Sequence, residues 1–379
     1  MSPKFQSCVI ADAIRSPIGV KRGKMKGIRP DDLGAQILKA LMARNKTLPM
    51  EKIEDIVVGC AFPEGTQGML MARGIGILAG FPIETGGKVV NRFCGSSMDA
   101  VHQIDNAITV GDYDAAIAAG AEDMFSVPLG GFNPSYNREL VKKNYYVSMG
   151  ETAENLARDL NISREEQEEF AITSHQKALA AWKAGKFKNE VIPIQYNGQT
   201  ISRDEGPREP DLEKIRSLKP AFQEDGTVTA ATSSPYSVGS AAILLTSEDI
   251  AKEYGLKPRA RLISRAFAGV PWDRMGMGPL PATEKALKKA GMTINDMDAI
   301  ELNEAFAAQS LYVIKKGEWP LEKVNMHGGA IAMGHPLGCS GARILTTLIN
   351  VLEDIDGRYG LATMCIGTGQ GIATIIERI

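Results

Sequence analysis

The sequence has 379 residues, of which 44% are hydrophobic and 23% are charged, as in an ordinary globular protein. This length exceeds that of a usual single domain, so two or three compact units are expected. The 43 basic and 45 acidic residues leave a net charge of -2. This balance excludes an overall field that would attract nucleic acid or an anionic membrane, and no nucleic-acid partner is expected.

Targeting signals and cysteine spacing limit the cellular location and the chemical state of the cysteines. No apolar run approaches the roughly 18 residues of a membrane span. The few residues before the apolar run at Cys8 leave no room for a secretion signal, so the cytoplasm is the expected location. The cysteine count is odd and contains no CxxC pair, which predicts free thiols rather than disulfides or a metal site. The cysteines are Cys8, Cys60, Cys94, Cys339 and Cys365.

The predicted elements repeat along the chain. The first series is a helix at 32–44, an apolar strand at 56–60, a helix at 97–108 and an apolar strand at 115–119. About 245 positions later the series returns as a helix at 281–290, strand 299–302, helix 340–352 and strand 361–366. Continuous apolar strands predict mixed sheets covered on both faces. The sequence therefore predicts two similar α/β halves, with generic α/β patterning as the alternative.

Between the halves, residues 122–233 lack the repeat and are richer in charge and turns. A capping box at Ser163 and Glu166 predicts a helix that runs to about Ala184. We expect a first core half at 1–118, completed by about 236–258, and a second core half at 259–379. The inserted loop domain, 119–235, is a natural place for a substrate lid.

Cys94 lies where an apolar strand breaks at small residues and a helix begins. Free backbone N–H groups and the positive end of a helix dipole favour thiolate over thiol, which predicts an activated sulfur. From this context alone, a nucleophile and a buried packing residue are equally good interpretations of Cys94.

His335 lies in a glycine-dense loop, 328–341, at the repeat position that matches the Cys94 loop. Pseudo-twofold symmetry would bring these two loops face to face. A lone histidine is more often structural, and we keep that interpretation for His102 and His175, each on a predicted helix.

The segment 365–371 reads as a strand that ends in a glycine turn and returns as a second strand. A phosphate-binding loop is disfavoured because no helix follows and no Lys-Ser/Thr closes the motif. The backbone N–H groups of this hairpin suit an oxyanion better.

These three segments, with Asn303-Glu304-Ala305-Phe306 and the opening 11–17, resemble the thiolases, which cleave 3-ketoacyl-CoA or condense two acetyl-CoA. The resemblance covers nearly the whole chain, with its motifs in family order. It implies an α/β thiolase fold with duplicated βαβαβαββ halves in α-β-α-β-α layers and an inserted loop domain. It also implies CoA as a substrate and no resident cofactor or metal.

The resemblance assigns five catalytic positions. It implies that Cys94 is the acylated nucleophile, His335 its base and Cys365 the second acid/base. His335 with a water held by Asn303 would stabilise the enolate of the CoA thioester. The backbone N–H groups of Cys94 and Gly367 would hold the tetrahedral oxyanion.

The resemblance also implies a binding surface for CoA and the acyl chain. Ser234 and Arg208 match positions that contact the CoA moiety, with an ordinary surface charge as the alternative for Arg208. Met149, Ala305 and Phe306 match positions that line the acyl and pantetheine pocket, with plain core packing as their alternative.

Specificity and assembly follow from finer features of the resemblance. Ser148 stands where acetoacetyl-CoA-specific relatives tend to carry histidine, which favours the broad-chain degradative members of bacterial β-oxidation. The alternatives are an acetoacetyl-CoA thiolase, a ketoacyl synthase-like condensing enzyme and a silent CoA-binding subunit. A homodimer or homotetramer is implied, with a complex with a hydratase/dehydrogenase subunit as a further alternative.

Overall fold

The computed structural model describes residues 5–379. Its strands are β1 (Cys8–Arg15), β2 (Gly19–Val20), β3 (Asp55–Gly59), β4 (Lys88–Val90), β5 (Ala115–Asp123), β6 (Ile194–Tyr196), β7 (Gln199–Ile201), β8 (Ser237–Ser247), β9 (Ala260–Gly269), β10 (Ala299–Leu302), β11 (Tyr359–Ile366) and β12 (Gln370–Arg378). Its α-helices are α1 (Pro30–Arg44), α2 (Met71–Ala79), α3 (Ser96–Val110), α4 (Arg138–Lys142), α5 (Met149–Asp159), α6 (Arg164–Lys183), α7 (Leu212–Ser217), α8 (Glu248–Glu253), α9 (Pro279–Ala290), α10 (Ala307–Gly317), α11 (Ala330–Met333) and α12 (Ser340–Asp354).

The strand order shows the duplication directly. The first half has the order β4-β3-β5-β8-β1, and the second half runs β10-β11-β12-β9. In the first half the last strand, β8, is antiparallel to both of its neighbours, β1 and β5. In the second half the last strand, β12, is likewise antiparallel to its neighbours β9 and β11. The counterpart of β4 is reduced to a parallel bridge between Ile300 and Val324. The two predicted halves are therefore confirmed, and they join through one antiparallel pair, Ile10 with Ala260.

The layers are also those expected. Helices α3 and α12 lie between the two sheets, where Ile104 and Leu348 share one core with Ile243 and Ile376. Every residue of α12 from Ser340 to Leu352 is buried, as a helix surrounded by protein requires. Helices α1 and α2 cover the outer face of the first sheet, and α9 and α10 cover that of the second.

The insertion carries α4 to α7 and the hairpin β6–β7. The capping box at Ser163 is present and opens α6, and a second one, not predicted, opens α5 at Ser148. Strand β5 continues to Asp123, beyond the predicted strand end at 119. All five cysteines are buried free thiols, as expected. Within residues 5–379, no helix combines the length and apolarity needed to cross a bilayer.

Candidate active site

The turn that carries Cys94 is strained and held by one serine. β4 ends at Val90, and Phe93 adopts a left-handed backbone with φ of 43°. The Ser96 hydroxyl accepts from the N–H of Arg92 at 2.9 Å and donates to the carbonyl of Phe93 at 2.6 Å. Because α3 begins at Ser96, the turn places the Cys94 sulfur at the start of a central helix.

Cys94 is protonated in the ligand-free chain. Burial raises the pKa of its thiol to about 11, against the lowering effect of the backbone N–H groups of Gly367 and Cys94. The negative charge of Glu122 raises it further. The N–H groups thus lower the pKa of the thiol, as the turn predicts, but desolvation outweighs them.

The hairpin β11–β12 brings the second thiol to the first. Its turn runs from Gly367 through Thr368 and Gly369, both with positive φ, and the Gly367 N–H contacts the sulfur of Cys94. Cys365 is fully buried, and burial, followed by the electrostatic interaction with Cys94, raises the pKa of its thiol well above the ordinary value. The predicted hairpin is confirmed, and its turn region presents the Cys365 thiol and the Gly367 N–H group to Cys94.

His335 is held as one tautomer. The Ser340 hydroxyl donates to the carbonyl of Pro336 at 3.1 Å, so it accepts from His335 Nδ1, which lies 2.6 Å away. Nε2 therefore carries a lone pair and can act as a base. Burial, with the charge of Arg343 as a smaller cause, lowers the pKa of His335 to about 3, so the resting imidazole is neutral.

Asn303 connects the histidine to the hairpin. Its Nδ2 lies 3.3 Å from His335 Nε2, and its backbone N–H donates to the carbonyl of Thr363 at 3.0 Å, two residues before Cys365. The side chain is buried, and its Oδ1 has no partner within the described chain. The structure thus links Asn303, His335 and the Cys365 hairpin, which in turn contacts Cys94.

The apolar pocket residues lie on the same side. The Met149 sulfur is 3.4 Å from the position that a Cβ on Gly367 would occupy. The Ser234 N–H donates to the carbonyl of Ala305 at 3.0 Å, and the neighbouring Ser233 forms a bridge with Phe306. Met149 and Ser234 are half-buried, whereas Ala305 and Phe306 are buried.

Arg208 lies apart from the thiols. It is exposed, and its guanidinium donates only to the carbonyl of Gly206 at 3.2 Å, with no carboxylate partner within residues 5–379. The loop itself packs on α11, because a Cβ on Gly206 would lie 2.2 Å from the carbonyl oxygen of Ala332. Arg208 is thus a free cation on a loop that touches the helix before His335.

The sequence interpretation missed three residues that bear on this site. Phe222 is 40% exposed and meets Phe306 edge-on at 5.8 Å between ring centroids, and it covers Gly150 beside Met149. Nothing in the local sequence distinguishes it. Ser340 and Glu122 could have been found from the sequence. Ser340 begins the repeated helix after the His335 loop, and Glu122 follows the repeated strand 115–119.

These contacts define a thiol-dependent acyl-transfer site between two duplicated halves, and the comparisons with known proteins name its class. The family domain described as "Thiolase, N-terminal domain" matches residues 8–249, and "Thiolase, C-terminal domain" matches residues 256–378. The chain belongs to the thiolase family.

Similar proteins share the full length. The chain is 48% identical over 392 residues to the 3-ketoacyl-CoA thiolase of Vibrio parahaemolyticus, covering 100% of both chains. It is 49% identical over 388 residues to that of Shewanella loihica, covering 99% of this chain and 100% of the relative. The crystal structure of the Bacillus anthracis acetyl-CoA acetyltransferase superposes with a TM-score of 0.91 at 37% identity, with full coverage of both.

Proposed function

We propose that the chain is a 3-ketoacyl-CoA thiolase, which uses CoA to cleave 3-ketoacyl-CoA into acetyl-CoA and a shortened acyl-CoA. The observation that carries the proposal is the pairing of Cys94 and Cys365 at one buried site, which Asn303 links to an imidazole whose Nε2 carries the lone pair. Carbon–carbon cleavage by acyl transfer needs one nucleophile and a second proton carrier, and this site holds both. The two relatives named 3-ketoacyl-CoA thiolase support the substrate class.

The first half-reaction begins with neutral groups. Because burial favours the thiol of Cys94 and the neutral imidazole of His335, proton transfer to Nε2 accompanies attack of the sulfur on the 3-keto carbon. Collapse of the tetrahedral intermediate breaks the C2–C3 bond and leaves its electron pair on C2. The Cys365 thiol donates its proton there, which releases acetyl-CoA and leaves an acyl group on Cys94.

The second half-reaction returns each proton. The Cys365 thiolate takes the proton of free CoA, whose sulfur attacks the acyl group on Cys94. Collapse of this second intermediate expels the Cys94 sulfur, which recovers its proton from His335. Two sulfurs and one imidazole thus complete a ping-pong cycle with no net change in the protein.

Two donor sets fit the two oxygens that become negative. The N–H groups of Cys94 and Gly367, which contact the sulfur in the resting chain, are suited to the oxyanion of the tetrahedral intermediates. The enolate oxygen of acetyl-CoA would be stabilised by His335 together with a water molecule. This water would donate a hydrogen bond to the unpartnered Oδ1 of Asn303.

For CoA itself, we propose a binding surface formed by Ser234, Arg208, Met149, Ala305 and Phe306. The first three belong to the inserted segment, which acts as the lid. Arg208 supports the polar part, because an exposed guanidinium without a carboxylate partner is available to a phosphate. Met149 and Phe306, with Phe222 over them, support the apolar part, since they lead from the protein surface towards the Gly367 turn.

The proposed acceptance of a broad range of acyl chain lengths rests on Ser148. Its side chain is engaged at the start of α5, where it accepts from the Glu151 N–H at 3.3 Å and donates to the Glu151 carboxylate at 2.6 Å. The pocket mouth beside Met149 therefore carries no imidazole. Acetyl-CoA C-acetyltransferase is the second candidate, because the Bacillus anthracis enzyme shares the fold closely.

Four experiments test the proposal. Thiolysis of C10 to C16 ketoacyl-CoA should be at least as fast as that of the C4 substrate, and loss of the longer substrates alone would assign the acetoacetyl-CoA activity instead. Cys94→Ala should form no acyl-enzyme by mass spectrometry, whereas Cys8→Ala, which removes a buried thiol outside the site, should form it normally. A fully active Cys365→Ser would favour a ketoacyl synthase-like enzyme. Alkylation of Cys94 by iodoacetamide should be slowed by acyl-CoA and should abolish turnover. A purified chain that shows no turnover even before alkylation would favour a silent subunit.

Assembly as a homodimer or homotetramer is also proposed. Met69, Ile77 and Ile83, near α2 and the edge strand β4, are exposed by 100%, 48% and 76%, which is unusual for large apolar side chains. Light scattering of the purified chain should give a mass of at least two copies, and Ile83→Asp should lower it. A monomer that gains mass only with a hydratase/dehydrogenase subunit would indicate the mixed complex.

The cytoplasmic location stays a prediction, checked by cell fractionation.

A further inference from the structure

One buried carboxylate, outside the groups that carry the proposed chemistry, joins the two halves beside the reactive thiol. Glu122 is 1% exposed and lies near the end of β5. Its Oε2 accepts from the N–H of Ala61 at 2.6 Å and from that of Gly338 at 2.9 Å. Its Oε1 accepts from Gln67 Nε2 at 2.7 Å and from the N–H of Phe62 at 3.3 Å.

These contacts decide the ionisation of Glu122. Burial raises the pKa of its carboxyl group, but the Ala61, Gly338, Gln67 and Phe62 groups that contact it are all donors. The Cys60 thiol, 3.7 Å from Oε1, can also donate. If the carboxyl group were protonated, its O–H would face N–H groups that are themselves donors and could not accept from it. The arrangement therefore fits only the carboxylate.

The contact with Gly338 matters because of where this residue lies. Gly338 comes three residues after His335, and the same loop is held at His335 by the Ser237 hydroxyl at 3.1 Å. The fit leaves no space, since a Cβ on Gly338 would lie 2.6 Å from the Cα of Cys60. A shift of Glu122 would therefore displace the loop that presents the imidazole.

We infer that Glu122 is a positioning residue for acyl transfer, which locks the His335 loop of the second half onto the Cys94 half. The inference rests on the proposed thiolase function. The positioning arises from the Gly338 and Ala61 contacts. Separately, the carboxylate charge is the smallest of the causes that shift the pKa of the Cys94 thiol. The other titratable group that interacts with this thiol is Cys365.

Two variants separate the two effects. Glu122→Gln removes the charge and places an amide N–H₂ against backbone N–H groups. Glu122→Asp keeps the charge but is one methylene shorter and cannot reach both Ala61 and Gly338. We expect kcat for thiolysis to fall about 10- to 100-fold in both, as for a small misplacement of a reacting group. KM should change little, because the proposed CoA contacts are not touched.

The second readout is alkylation of Cys94 by iodoacetamide at fixed pH, followed by peptide mass spectrometry. Loss of the charge in Glu122→Gln should speed alkylation, by about tenfold for each unit by which the thiol pKa falls. Glu122→Asp should leave it within about twofold. The matched control is Glu377→Gln, a buried carboxylate bound by Arg261 and Arg358 on β12, which should change neither readout.

The outcomes are distinct. Alkylation that slows in step with kcat in Glu122→Gln, or a kcat within twofold of the parent in both variants, overturns the inference and leaves Glu122 a structural residue. If melting shows that Glu122→Gln is unfolded, the kcat of Glu122→Asp decides alone. Failure of the thiolase proposal would appear elsewhere, as turnover retained by Cys94→Ala, while the alkylation comparison would still report on Glu122.

Discussion

Replacing Ser340 with alanine tests whether one hydroxyl sets the proton position on the proposed base. In the structure the chain of donors runs from His335 Nδ1 to Ser340 and on to the carbonyl of Pro336. The variant removes the acceptor at Nδ1 without touching Cys94 or the hairpin. The imidazole can then move its proton to Nε2, where Asn303 can rotate its amide to accept it.

The magnitude follows from the burial of the ring. His335 is 3% exposed, so a stranded Nδ1–H costs about 1–3 kcal/mol. The variant avoids this cost at rest by taking the other tautomer, which has no lone pair towards the thiol. Acylation requires the original tautomer, so the same free energy is added to the barrier. We expect acylation to slow by about 5- to 150-fold.

The assay is the burst of CoA released when the enzyme is mixed with acetyl-CoA. Thr346→Val is the matched control, because it removes a buried hydroxyl of the same helix that bonds only the Ala342 carbonyl, at 2.8 Å, and it keeps the side-chain volume. It should acylate at the parent rate. Nitrogen NMR of ¹⁵N-labelled histidine should show protonated Nδ1 in the parent and protonated Nε2 in Ser340→Ala. An unchanged burst rate with an unchanged tautomer would refute the reasoning.

Three further outcomes follow from burial and charge. Burial lowers the pKa of His102 to about 3, so below about pH 6.5 only the unfolded chain binds its proton. Urea unfolding should show stability falling as pH drops from 6.5 towards 3, less steeply in His102→Gln. Asp204→Asn should destabilise the chain by about 1–3 kcal/mol, measured the same way, because it removes one of the two carboxylates that hold the buried Arg15 guanidinium. Asp204 accepts from Arg15 at 2.7 and 3.0 Å, and Glu190, at 2.6 Å, remains in the variant. Arg208→Ala should raise KM for CoA but not for a pantetheine acceptor that lacks the phosphates, with little change in melting temperature.

The sequence was sufficient for the fold because the duplication is a local pattern. Helix α12 begins at Ser340 as predicted, and α3 begins at Ser96, one residue before the prediction. Strand β5 was predicted too short, because its last residues, Glu122 and Asp123, are charged yet buried. The donors to Glu122 come from distant segments, and a strand with buried charges reads as the start of a polar insertion.

The site was predictable in its members and not in its charge states. The segments around Cys94, His335 and Cys365 are each readable as turns, and the contacts between them agree with the expected convergence. The raised pKa of the Cys94 thiol was not predicted, because helix and N–H effects can be read from sequence but desolvation cannot. Phe222 was missed because its contact with Phe306 exists only after the insertion folds over the core.

In both halves a serine at the start of a helix fixes the preceding turn, although one turn carries a thiol and the other an imidazole. Ser96 and Ser340 occupy equivalent helix starts, and each donates to a carbonyl of the preceding turn. In the first half the serine fixes the turn that carries a sulfur, and in the second it also accepts the ring N–H of an imidazole. The helices face each other, since the Ala342 N–H donates to the Ser97 hydroxyl at 2.8 Å. Duplication therefore supplies two facing turns, and divergence within them gives one turn a thiol and the other an imidazole.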